Sequence, residues 1–457
     1  MPIGGMTATQ SVTPVGQMTP ADIAALVDQL TPASQKFRAQ STIQKVTLSD
    51  MVWNGQGQPV TVQIAQVGLG KKTRTWHHIV ITLNNAGTAS QSVKLSPWFP
   101  FNLLSNSIVK INGGAAVYSA SGDGGLVASA RRNRSFFNLS DPALTGVGPG
   151  LPNSMCAINV GANGTITNAV TGGIPAQLSG IASIAIAAGT SCIVTVDFTT
   201  EEWFVYDDET LLGCLPLQNS STYATLQRTL ASQFITASAG DSTKPFYNAG
   251  ANMSLSALSG TSKTEYEFAS VPSDATLYAS LVSNSYQVTE QSQITGTAGQ
   301  QGLQYNLPQN EYLIALHRIL VDSTGIPIAF SDGNIGSQTA EATNYMTAAF
   351  SANERKIQYN GGKVIPVDDT PARLQELQYR TYGDERARVL AGYLLWDGND
   401  TVNDIQAASD DMNWIDSYNV ASPQAVEAIG GSVANTPIVA RFIRESLVSG
   451  SVQVVGG

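Results

Sequence analysis

Along much of the chain, apolar and polar residues alternate with a period of two. In residues 76–83, His77, Ile79, Ile81 and Leu83 fall on one face of a strand, and Trp76, His78, Val80 and Thr82 on the other. Turn-forming residues at 84–88 end this run, and 91–95 makes a short second one. Pro97 and Pro100 bracket Trp98 and Phe99. Each proline lacks a ladder donor, so the segment reads as a strand end or corner. Residues 108–111 form a third run, Asn112-Gly113 is a strong two-residue hairpin signal, and 115–119 returns. Short strands and tight turns at this density predict an antiparallel sandwich or barrel. Further β-runs occupy 42–52, 59–67, 184–198 continuing into 203–206, 225–237, 265–288, 356–367 around Gly361-Gly362, 389–396, 438–447 and 452–455. The run 311–321 fits strand or helix by periodicity, and Pro327 beyond it favours strand.

Helical spacing is rarer. Thr19 is placed to cap a helix, Pro20 sits at its first position, and Asp22 follows three residues after the cap. Ile23, Leu26, Val27 and Leu30 then form an apolar stripe, and Thr31-Pro32 stops or kinks it. A helix of about a dozen residues is marginal alone in water, so the stripe needs a surface: its own subunit, a neighbour or a lipid leaflet. Its polar face carries Asp22 and Asp28 and no lysine or arginine. That ranks protein contact first and membrane proximity second. The polar stretch before it reads as an arm, so 1–40 is an arm with an amphipathic helix. Two more helices are predicted at 372–379 and 400–418, the second with Val402, Ile405, Met412 and Ile415 on one face. Residues 291–302 lack apolar periodicity and read as a linker. They divide the β-runs into a first unit, 41–300, with long loop insertions at 122–173 and 241–262, and a second, 301–457. The halves show no sequence repeat.

Composition narrows the function classes. Only 13% of the 457 residues are charged and the formal net charge is −10. An acidic chain of this kind is unsuited to coating nucleic acid. Its scarcity of charge suits surface buried between subunits. Cys156, Cys192 and Cys214 give no disulfide framework and read as buried thiols of a chain folded in a reducing cytoplasm. Residues 1–17 lack the basic and apolar regions of a signal peptide, and no apolar run approaches the length of a membrane-spanning helix.

The candidate chemistry is thin. Gly68 to Thr73 imitates a phosphate loop, but Ala65 stands where the motif needs glycine, so it reads as a basic loop. Arg131, Arg132 and Arg134 precede Phe136 and Phe137, a pattern that suits a solvated or intersubunit face. Gly146, Gly148 and Gly150 imitate a dinucleotide fingerprint, yet Pro149 and Pro152 forbid the helix it requires. Asp207, Asp208 and Glu209 are consecutive and cannot converge on one centre. His77 and His78 point to opposite faces of their strand, and His317 sits in an apolar run and reads as structural. We expect no catalytic residue, no cofactor and no metal site.

Two regions carry a family resemblance. Ile81-Thr82-Leu83-Asn84-Asn85, the 97–102 corner and the strand ending at Ile108 to Gly113 resemble early strands of the major capsid proteins of tectivirus-like, membrane-containing bacteriophages. Ala187-Ala188-Gly189-Thr190, the aromatic run Trp203 to Tyr206 and Leu212 to Pro216 resemble a second part of that family. The resemblance implies an all-β chain of two eight-stranded antiparallel jelly rolls with short flanking helices. It implies a homotrimer with a pseudo-hexameric outline, tiled into an icosahedral shell around an internal membrane. Its partners would be copies of itself, penton and minor capsid proteins and the viral membrane, with no direct nucleic-acid contact. The site would be the virion, and Ile23, Leu26, Val27 and Leu30 would serve assembly near the membrane. The alternatives are a secreted carbohydrate-binding or glycoside-cleaving β-sandwich protein, and a minor capsid or spike protein of the same virus.

Overall fold

The computed structural model describes residues 40–96, 99–132, 156–167, 183–206, 211, 213–217, 220–238, 244–271, 273, 284–297, 299–300, 302–321, 350–368, 393–397, 415–418, 420–429 and 438–449. The first half contains β1 (Ile43–Thr47), β2 (Met51–Trp53), β3 (Pro59–Ile64), β4 (Gly68–Asn85), β5 (Gln91–Leu95), β6 (Leu104–Ile111) and β7 (Ala116–Ala120). After helix α1 (Gly122–Arg132) come β8 (Cys156–Val160), β9 (Gly164–Thr167), β10 (Ser183–Ile186), β11 (Thr190–Trp203), β12 (Leu215–Leu217), β13 (Ala224–Leu230), β14 (Phe246–Tyr247) and β15 (Met253–Ala269). The second half contains β16 (Asn284–Gly296), β17 (Leu303–Asn306), β18 (Tyr312–Val321), β19 (Phe350–Tyr359), β20 (Val364–Asp368), β21 (Tyr393–Asp397), β22 (Ile415–Asp416), β23 (Gln424–Ile429) and β24 (Ile438–Ser449).

The pairing of these strands repeats itself. In the first half, β1, followed by the short β2 in the same role, pairs with β15, β15 with β4, and β4 with β11. The facing sheet runs β3-β13-β6-β7. In the second half, β16 pairs with β24, β24 with β18, and β18 with β21. Its facing sheet runs β17-β23-β19-β20. Numbered within each half by chain order, both halves have the sheet orders 1-8-3-6 and 2-7-4-5. That is the wiring of an eight-stranded jelly roll, made twice by sequences without a detectable repeat.

Alternation explains why the first roll closes. In β4, Ile79, Ile81 and Leu83 are fully buried, while Trp76 on the other face is 45% exposed. They share one core with Val194, Val196 and Phe198 of β11, Val62 and Ile64 of β3, Val109 of β6 and Leu226 of β13. Each such side chain contributes about 1.5–3 kcal/mol of burial. The β6–β7 hairpin turns at Asn112 (φ 45°) and Gly113 (φ 72°), both in the left-handed region such a turn demands. In the second roll, Tyr305 of β17 stacks on Phe442 of β24 at 4.1 Å between ring centres, bringing its two sheets together.

Four expectations are corrected. Residues 68–73 are no loop but the start of the 18-residue β4. Lys71 there pairs with Glu267 at 2.7 Å, and neighbouring strands on both sides supply the ladder. Residues 122–173 and 241–262 are not plain loops, since the first hold α1, β8 and β9 and the second hold β14 and the start of β15. Residues 291–296 are strand rather than linker, because β24 pairs with β16 as far as Gly296. That pairing puts β16 in the second roll, so the step between rolls falls before Asn284. Ile415–Asp416, expected in a helix, form β22 against β18. The predicted helix at 372–379, the Cys156 side chain, Arg134, Phe136, Phe137, the 207–209 acids and the run 452–455 lie outside the description.

Candidate assembly surfaces

The two rolls are joined where β7 of the first meets β16 of the second. The pairing is parallel, with Val288 opposite Tyr118 and Thr289 opposite Ser119. It fuses one sheet of each roll into a single sheet that runs from β21 to β3. The chain leaves β7 through Ser121, which caps α1 by accepting the Gly124 N–H at 3.0 Å. Glu290 of β16 accepts both the Ser121 N–H (2.7 Å) and its hydroxyl (2.6 Å). Arg441 of β24 closes the cluster. It donates from Nε to Glu290 at 3.0 Å and from Nη1 to Asp123 in the first turn of α1 at 2.9 Å. Burial works against the Asp123 charge, but the Arg441 charge, with hydrogen bonds from Arg441 and Ser121, holds its carboxyl below the usual range. One arginine of the second roll thus grips the strand end and helix cap of the first.

A second ionic cluster lies inside the first roll. Arg228 of β13 is fully buried and meets Glu202 of β11 through two oxygens, at 2.6 and 2.7 Å. Thr73 donates to Glu202 at 2.7 Å, and Thr75 shares a 2.8 Å bond with Thr264. Beside them, buried His77 meets Ser262 through Nδ1 (2.8 Å) and Thr200 through Nε2 (2.9 Å). Burial, reinforced by Arg228, pushes His77 well below the usual imidazole range, so it is neutral. A serine next to a histidine suggests a nucleophile and base, but the far nitrogen of His77 faces a hydroxyl and not a carboxylate. Trp53 also donates to Ser262 at 2.7 Å, and the whole group is shut between sheets. Its chemistry is structural. His78 is exposed and pairs with Asp197 at 2.6 Å, so the two neighbouring histidines do separate to opposite faces.

The outer face of β4 and its neighbours carries exposed apolar side chains. Trp76, Val52 and Ile193 are each about half exposed there. At one end of the first roll, the inserted strands form a small sheet, β14-β5-β10-β9. Asn85 ties that sheet to the roll. Its amide donates to the carbonyls of Ala89 (2.9 Å) and Ile186 (3.0 Å), and its Oδ1 accepts the Gly87 N–H at 2.9 Å. In the second roll, His317 meets Glu445 at 2.9 Å, Tyr286 donates to the same carboxylate at 2.5 Å, and Arg444 pairs with Glu311 at 3.0 Å.

Ile23, Leu26, Val27 and Leu30 lie outside the described residues. Among the described residues, no group of three or more His, Cys, Asp or Glu is placed to hold a metal ion, and no helix is long and apolar enough to cross a membrane. Cys192 and Cys214 are buried free thiols. The ionic cluster at the join was not foreseen. Its one signal in the sequence is Arg441 inside the run 438–447 and Glu290 just past the run 265–288, at positions where a surface strand would also carry charge.

No family model and no curated protein matches the chain. Solved structures do. The STIV MCP, known from a crystal structure, matches with a TM-score of 0.54 at 14% identity, covering 90% of this chain and 97% of that one. A chain in the atomic structure of Sulfolobus Turreted Icosahedral Virus matches with a TM-score of 0.52, also at 14% identity, covering 89% and 91%. The likeness spans about nine tenths of the chain. The fold is therefore the all-β double jelly roll that the sequence resemblance implied, kept at an identity too low for sequence alone to show it.

Proposed function

We propose that the chain is a major capsid protein, a structural rather than catalytic molecule. The observation that carries this reading is the join. Two rolls of the same wiring share a continuous sheet and an ionic clamp, and the fold is similar to that of the STIV MCP over 90% of the chain. Such a unit is a stiff wall with two similar lobes. Three copies around an axis give six lobes, a pseudo-hexamer able to tile an icosahedral shell. In this reading residues 43–269 and 284–449 are the two lobes, and the interface between copies is large and obligate. The partners are further copies, penton and minor capsid proteins, and the shell encloses a membrane. The N-terminal stripe Ile23, Leu26, Val27 and Leu30 serves shell assembly near that membrane. The protein is made in the host cytoplasm and ends in the virion.

Electron microscopy of the purified protein tests the reading. The expected particle has a six-lobed outline with three-fold symmetry. Single two-lobed particles throughout would overturn it. Deleting residues 1–39 should leave folding and the trimer intact, with the melting temperature within a few degrees, and abolish shells. An unfolded trimer would return the stripe to the core.

A carbohydrate-binding role draws on one observation, the half-exposed Trp76 beside the His78–Asp197 pair on an open sheet face. Saturable binding to a glycan array that Trp76→Ala abolishes would favour it over the capsid reading.

A further inference from the structure

The join inside the chain uses two particular edges. They are the edge of β7, the fifth strand of the first roll, and the edge of β16, the first strand of the second. Because the two rolls have the same wiring, each of these edges has a counterpart in the other roll. The fifth strand of the second roll is β20, whose pairing among the described residues is with β19. The first strand of the first roll is β1, whose pairing among the described residues is with β15. One chain therefore presents one edge of each kind, the two halves of a contact it already makes once. A heterologous contact of this type closes into a ring or runs on as a filament when repeated between copies.

The register shows what β1 offers. Leu48 donates its N–H to Thr264, and Ser270 donates to Thr42. With the register between them unbroken, the even-numbered residues 42–48 make the bonds to β15. Ile43, Lys45 and Thr47 then turn their N–H and C=O groups to the open side. Ile43 is 48% exposed, so the edge also carries an apolar side chain. An open edge of this kind is a template for a further strand.

We propose that β1 of one copy pairs with β20 of a second copy, parallel and side by side, repeating between chains the β7–β16 contact within the chain. The inference rests on the reading of the chain as a self-assembling shell protein, and it names the surface through which copies meet. A second copy is the occupant because this chain supplies both halves of the contact.

The test uses two full-length variants. Lys45→Pro removes an outward N–H that β15 does not use. Lys45→Ala keeps it and removes only the exposed ion pairs of Lys45 with Glu265 and Glu267. Light scattering across a dilution series should show association weakened roughly tenfold or more in Lys45→Pro and nearly unchanged in Lys45→Ala. Hydrogen exchange on the unmodified protein supplies the second readout. The amides of Ile43, Lys45 and Thr47 should be protected in the oligomer and exchange freely after dissociation, while those of Gln44 and Val46 stay protected in both. An oligomer whose Ile43, Lys45 and Thr47 amides exchange freely, and which Lys45→Pro forms as well as the parent, overturns the edge assignment but leaves self-assembly standing. A parent chain that never associates overturns both.

Discussion

The two ionic clusters of the molecule use the same chemistry for different ends. Arg228 and Glu202 lie inside one roll, shut between its sheets, with relative exposures of 0% and 1%. Arg441, Glu290, Asp123 and Ser121 lie between rolls, where the Arg441 side chain keeps 19% of its exposure. The inner pair closes a β-sandwich that would fold around hydrophobic residues anyway. The outer cluster binds two sandwiches across a seam that also holds apolar residues of the second roll, Tyr286, Val288, Ile443 and Leu447, packed in one core with the first. Burial makes the inner pair the costlier to break. Position makes the outer cluster matter more for assembly.

The largest effect is expected from Arg228→Met, which leaves Glu202 buried without its partner. A loss of about 3–5 kcal/mol in denaturant unfolding is expected. The double variant Arg228→Met with Glu202→Gln should recover most of it, because no uncompensated charge remains. A double variant as unstable as the single one would mean that the loss comes from packing.

Arg441→Gln comes next. It leaves Asp123 and Glu290 together with no cation between them. The expected loss is about 1–3 kcal/mol, since removing the arginine leaves two carboxylates on a partly wetted rim. Here the shape of the transition is more telling than its midpoint. Unfolding should split into two steps as the rolls uncouple, whereas Arg228→Met should keep one step in the first roll.

Acid sharpens the contrast further. The folded-state pKa of Asp123 is depressed, so its contribution is fully present above the ordinary aspartate value of about 3.9. It is lost as pH falls through the lower folded value. The rolls should therefore uncouple at a pH below about 4, and Arg441→Gln should remove this acid step. The smallest effect belongs to the surface. Asp197→Asn breaks a pair whose side chains are both 53% exposed, and should change stability by no more than about 0.5 kcal/mol.

The fold was legible where alternation was strong. The 76–83 run showed its buried face, and the strand at 91–95 was read to the residue because turn chemistry bounds both ends. Helix α1 was hidden for a physical reason. Gly122, Gly124 and Gly125 are poor helix formers, yet each sits where a side chain would collide with a packed neighbour. A Cβ on Gly122 would lie 1.9 Å from the Phe101 carbonyl oxygen, and one on Gly124 would lie 2.4 Å from Glu290. The glycines are there for packing, and tertiary contact overrides their propensity. The polar end of β16 hid in the same way, because its regularity comes from β24, a strand far away in sequence. The inner pair left a trace that alternation could have shown. Arg228 stands in phase with Leu226 and Leu230, all three buried, and a charge in the apolar phase of a strand marks a buried ion. The outer cluster left only charges that a surface strand would also carry, and Asp123 and Arg441 are 318 residues apart.

The central claim is that this two-lobed chain is a building block of a closed trimer. Size-exclusion chromatography with light scattering at micromolar concentration tests it most directly. The account predicts a single species of about three times the 48.1 kDa chain mass that persists on dilution. A clean monomer at that concentration would contradict it.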